Sequence, residues 1–138
     1  CALAVIVREM CENPVIYATA GNDYSRIHKT ALVPSRRGFA LSDAIYKMCE
    51  PLGGGGIFLK QVMDFVKQKE ESADRILIIT DEQDCDVSGS PNNADSFGLN
   101  NYIINVAANE NGIAYKKFVH ISGFSEATLE YIRAFESL

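Results

Sequence analysis

The run Ile76-Leu77-Ile78-Ile79-Thr80, followed at once by Asp81-Glu82-Gln83-Asp84, constrains this chain more than any other segment. Four consecutive branched apolar residues leave no polar face. A strand of that kind is buried on both sides, the position of a central strand in a parallel sheet covered by helices. The acidic group after it then stands at the strand's carboxyl end, where open α/β sheets place their ligands.

The remaining pattern is read outward from that strand. Residues 1–11 carry Ala2, Leu3, Val5, Ile6 and Met10 at helical spacing, and Asn13-Pro14 stops them. Strands are predicted at 14–19, 29–33, 75–80, 101–107 and 117–122, and helices at 1–11, 40–49, 57–69 and 125–137. Ala20–Asp23 reads as a turn, Ser42 or Asp43 as the cap of the second helix, and Pro51 as its end. Residues 84–100 read as a long exposed loop. Leu129, Ile132 and Phe135 are expected to point inward from the last helix. The order α β β α α β β β α favours one α/β domain over 1–138, a three-layer sandwich around a doubly wound, mostly parallel sheet of Rossmann-like type. In it 75–80 lies beside 101–107, and 101–107 beside 117–122.

Composition excludes several classes. A net charge of −5 argues against a protein that binds nucleic acid over its whole surface. No apolar run approaches the roughly 20 residues that span a bilayer, so neither a membrane nor DNA is expected as a partner. Cys1, Cys11, Cys49 and Cys85 form no CxxC pair, and His28 and His120 sit in no zinc-ligand array. The cysteines read as small apolar residues of a reducing, cytoplasmic protein. No nucleophile–base set and no GxSxG elbow are present, so the chain is read as no enzyme. An apolar start at Cys1, without Met, reads as an element entered midway in an N-terminally incomplete, C-terminal piece of a longer protein.

Asp81 is the leading candidate for function. An acid beyond a central strand can hold a hard cation through oxygen, and it can equally cap a turn. The run Gly53–Gly56 precedes a helix as a phosphate cradle would, but lacks the GK[ST] ending and reads rather as a flexible loop. Asp86-Val87-Ser88-Gly89-Ser90 spells DxSxS without the strand before it or the helix after it that this motif needs, and reads as a coincidence. Arg36-Arg37 and Lys116-Lys117 are basic pairs that could touch phosphate, with solvated surface as the default. Tyr17, Phe39, Tyr46 and Phe58 are spread among core segments and form no evident stacking platform.

The segment Ala73–Gln83 resembles the fourth-strand region of the von Willebrand factor type A domain of Ro-type proteins, the RNA-binding TROVE family, in its bacterial-like branch. Pro34–Leu41, Tyr102–Gly112 and His120–Glu126 extend the resemblance over nearly the whole chain. It implies a domain holding a divalent cation, Mg or Mn, at a metal-ion-dependent adhesion site (MIDAS). Asp81 matches that site's third element, and Gly55 and Gly56 its second loop, where Ile57 replaces the usual Thr. The first element, a DxSxS after the first strand, is absent. A cation wants about six oxygen ligands, so this chain alone is expected to bind metal weakly or not at all.

The resemblance further implies a non-catalytic binding module of a Ro-like ribonucleoprotein. RNA would be bound mainly outside this chain, with Arg36 and Arg37 as local contacts and a protein partner as a second role. The alternative is a metal-dependent protein-adhesion module with no RNA link. The family's first strand lies in mid-sheet. Without it a dimer, completion by another strand, or closure of 14–19 onto 75–80 is expected, and an edge at 75–80 exposed to water would make the family assignment wrong.

Overall fold

The computed structural model describes residues 2–22, 24–25, 27–52, 58–70, 72–80, 98–106, 119–122 and 127–138. Helix α1 (Ala2–Met10) leads into the hairpin β1 (Tyr17–Asn22) and β2 (Ile27–Leu32). Helices α2 (Gly38–Leu52) and α3 (Leu59–Lys69) follow. Strands β3 (Ala73–Thr80), β4 (Gly98–Asn105) and β5 (Val119–Ser122) precede the last helix, α4 (Ala127–Glu136). The architecture is mixed α/β, in the predicted element order.

Strands β3, β4 and β5 form a parallel sheet in that spatial order, which places 75–80 beside 101–107 and 101–107 beside 117–122 as the sequence predicts. β1 and β2 form a separate antiparallel sheet. The described strands therefore make two sheets, and β1 does not close onto β3. β3 is an edge strand among the described residues, with Ile79 40% exposed, where its apolar run predicts a central one. The Val106 N–H donates to the Thr80 carbonyl at 2.9 Å. By alternation Ile76, Ile78 and Thr80 turn their backbone groups to β4, and Arg75, Leu77 and Ile79 turn theirs to the open side.

The core sits between the parallel sheet and two helices. Leu3 of α1, Tyr102 and Ile104 of β4, and Leu129 and Ile132 of α4 are all buried together, with Ile6, Val7 and Leu77 against them. One polar cluster fastens this layer. The Arg75 guanidinium donates through Nε to Glu136 Oε1 at 2.9 Å, with a second bond from its terminal nitrogen to Oε2. The Tyr102 hydroxyl donates to the same Oε1 at 2.9 Å. Hydrogen bonding from Arg75, joined by that from Tyr102, holds the Glu136 carboxyl below its usual range despite partial burial. Burial, then the bond to Glu136, pushes the Tyr102 phenol up to about 12.

Several local expectations are corrected. The strand expected at 14–19 runs instead over Tyr17–Asn22, because Ala20, Gly21 and Asn22 pair with Lys29, His28 and Ile27. The Asn22 side chain then accepts the N–H groups of Tyr24 and Ser25, an Asx turn that moves the bend past the glycine. Helix α2 starts at Gly38, so Ser42 and Asp43 lie inside it, with Asp43 paired to Lys47 at 2.9 Å. Pro51 sits within its final turn. Phe39 and Tyr46 are 96% and 74% exposed, not core. Phe135 is half-exposed, with its ring edge-on to Tyr102. Ser125 and most of the loop expected at 84–100 lie outside the described residues.

Two outcomes follow. Amide exchange along β3 should alternate, with Ile76, Ile78 and Thr80 slow and Leu77 and Ile79 fast; uniform protection would mean that the open side is covered. Tyr102→Phe should cost about 1 kcal/mol in urea unfolding, the worth of one hydrogen bond. Since folding lowers the pKa of Glu136, its contribution is complete above the unfolded carboxyl value of roughly 4.3 and is lost as pH falls through the folded value. Glu136→Gln should therefore lower stability at neutral pH and flatten its decline in acid.

Candidate functional site

The parallel sheet ends in a polar row. Thr80, Asn105 and Ser122 are register partners across β3, β4 and β5, directly after the apolar row Ile79, Ile104 and Ile121. Thr80 is buried at that end. Because all three strands run the same way, their carboxyl ends reach one edge together, the edge at which α/β sheets take ligands. Asp81 follows Thr80 in sequence but lies outside the described residues, as do Gly55, Gly56, Ile57, Asp86–Ser90, Lys116 and Lys117. Among the described residues no group of three or more His, Cys, Asp or Glu side chains is gathered for a metal ion. The sequence continues from Thr80 into the carboxylates Asp81, Glu82 and Asp84, and a hard divalent cation takes about six oxygen ligands.

Sequence reasoning placed Asp81 at this edge but passed over Asn105 and Ser122. The signal for both was a polar residue closing an apolar strand, which gains meaning only once the register is known.

The two arginines differ in their electrostatics. Arg37 donates through Nε to Glu9 of α1 at 3.2 Å, so its charge is matched locally. Arg36 is exposed and donates to the Ser35 carbonyl at 3.1 Å; among the described residues it meets no carboxylate.

A second polar cluster lies between the hairpin and α3. The alternation of β1 and β2 puts Tyr17, Thr19, His28 and Thr30 on one face. His28 Nδ1 is 2.8 Å from Thr30 Oγ1, which is 2.8 Å from Thr19 Oγ1. Gln61 accepts the His28 backbone N–H at 3.0 Å. The Phe65 ring stands 5.4 Å from the His28 ring and 6.2 Å from that of Tyr17. The Tyr17 hydroxyl donates to Glu70 at 2.7 Å, and burial together with this bond pushes the phenol up to about 12.

An imidazole beside a hydroxyl is the beginning of a nucleophile–base pair. Here no carboxylate orients the ring among the described residues, and Phe65 packs against it. The cluster fastens the hairpin to α3, which agrees with a structural reading of His28.

Comparison with models of known protein families, with curated proteins and with solved structures found no match to this chain.

Proposed function

We propose that the chain is a non-catalytic binding module of a Ro-like ribonucleoprotein, built as a von Willebrand factor type A-like domain. Its three-layer, doubly wound sheet carries a partial metal-ion-dependent adhesion site at Asp81. The observation that carries this reading is the parallel order β3-β4-β5, with its carboxyl ends aligned immediately before Asp81. The order supports the resemblance of Ala73–Gln83 and Tyr102–Gly112 to that family, where the strand before the third metal element pairs in parallel with the next. Against it stands the position of β3, an edge strand among the described residues with Ile79 40% exposed, where the family has a central one.

In this reading Gly55 and Gly56 would belong to the second metal loop and Asp81 would be one oxygen ligand of a Mg or Mn ion in an intact domain, supplying a negative charge to hold it. RNA is held mainly outside the chain, with Arg36 as a local contact. The excess of acidic residues, and the pairing of Arg37 with Glu9, keep this domain from being the main RNA surface.

Titration calorimetry with Mg and Mn tests the metal half. This chain alone should show no tight binding, and micromolar affinity lost in Asp81→Ala would overturn the donor count. Gel shifts test the other half. RNA should bind weakly and without sequence preference at physiological salt, with Arg36→Ala weakening it further and Arg37→Ala having little effect. Sub-micromolar, sequence-selective binding would place the main RNA surface here and refute the reading.

A further inference from the structure

The α1–α2 side of the molecule carries two surface features that its own packing leaves unused. One is a knob. Phe39 projects at the start of α2, 96% exposed, three residues after the exposed Arg36. A phenyl ring in water leaves its burial free energy unrealised, and aromatic residues with arginine are the residue types that anchor interfaces. The other is a cleft of about 380 Å³, floored by Val5, Ile6 and Met10 of α1 and rimmed by Glu9 and by Glu130 of α4. Met10 is 43% exposed there.

The charges of the two are opposite. The knob carries an arginine with no carboxylate partner among the described residues. The cleft carries two carboxylates. Glu9 is held by Arg37, but Glu130 has only a long 3.9 Å approach from Arg133, with both side chains largely in solvent. Glu130 is therefore open to an incoming cation. Knob and cleft are also neighbours, because the Arg37–Glu9 pair joins the start of α2 to the rim of the cleft.

We propose that this face joins two copies of the chain, Phe39 of each entering the α1–α4 cleft of the other and Arg36 of each pairing with Glu130 across the interface. Adjacent, mutually complementary features on one molecule allow both contacts to form twice about a two-fold axis, which closes the assembly as a dimer. The cleft's carboxylates disfavour a polyanion, so RNA fits this face less well than a second copy does. The dimer takes up Arg36, so it excludes Arg36 as an RNA contact; in every other respect it is independent of the ribonucleoprotein reading.

Sedimentation velocity of the purified chain, from low to high micromolar concentration, tests it. The chain should show a concentration-dependent dimer. Phe39→Ser and Arg36→Glu should each weaken that dimer by roughly tenfold or more, and the exchange R36E with E130R should restore it. Both single variants should keep the wild-type circular dichroism, since both side chains are exposed. A monomer at every concentration overturns the proposal. A dimer indifferent to both single variants does so too, and locates association elsewhere, as at the open side of β3. An exchange that fails to restore the dimer removes the Arg36–Glu130 pairing and the two-fold arrangement with it.

Discussion

Tyr102, Ile103 and Ile104 are each fully buried in succession, which a strand achieves only when layers cover both of its faces. β4 is the strand with partners on either side, and the rest of the parallel unit is arranged to keep it dry. Leu3, Leu129 and Ile132 bring α1 and α4 onto the face of Tyr102 and Ile104. A tyrosine in that position needs an acceptor for its hydroxyl, and Glu136 supplies one. A carboxylate so placed needs a cation, and Arg75 of β3 supplies it. One buried aromatic thereby fixes the end of α4 against two strands.

Much of this arrangement was legible in the sequence, and the misses share a cause. The adjacency of 75–80, 101–107 and 117–122 could be read because long apolar strands have few places to go except side by side. Gly21 and Asn22 were read as breakers, yet a two-residue extension of the ladder opposite His28 and Ile27 costs little when Asn22 can still form the turn beyond it. Phe39 and Tyr46 fall among core segments in the sequence, and Phe135 falls at the inward spacing of the last helix. Direction depends on where the helix begins, and α2 begins at Gly38, in a left-handed conformation with φ of 57°, rather than near Ser42. The candidate site divides in the same way. Asp81 could be placed from its position in the chain, while the Thr80–Asn105–Ser122 row and the Arg37–Glu9 pair depend on register and on contacts between distant segments, which no local pattern encodes.

Charge pairing shapes what the surface can do. Arg37, Lys47, Lys60 and Arg75 each meet a carboxylate, two of them within a single helix turn. The exposed pairs of Arg37, Lys47 and Lys60 add little stability. Their larger effect is to cancel positive potential locally on an already acidic chain.

The two sheets also differ in how far apart in the chain their partners lie. In the hairpin Asn22 meets Ile27, so closure spans a short turn and belongs to the microsecond events of folding. In the parallel unit Arg75 must find Asn100, and Tyr102 must find Val119, before either ladder gains a bond. Each search loses chain entropy that only the completed core returns. The hairpin and α3, fastened through Tyr17, His28 and Phe65, thus form the part of the molecule that can assemble early, and the parallel ladder sets the pace of folding.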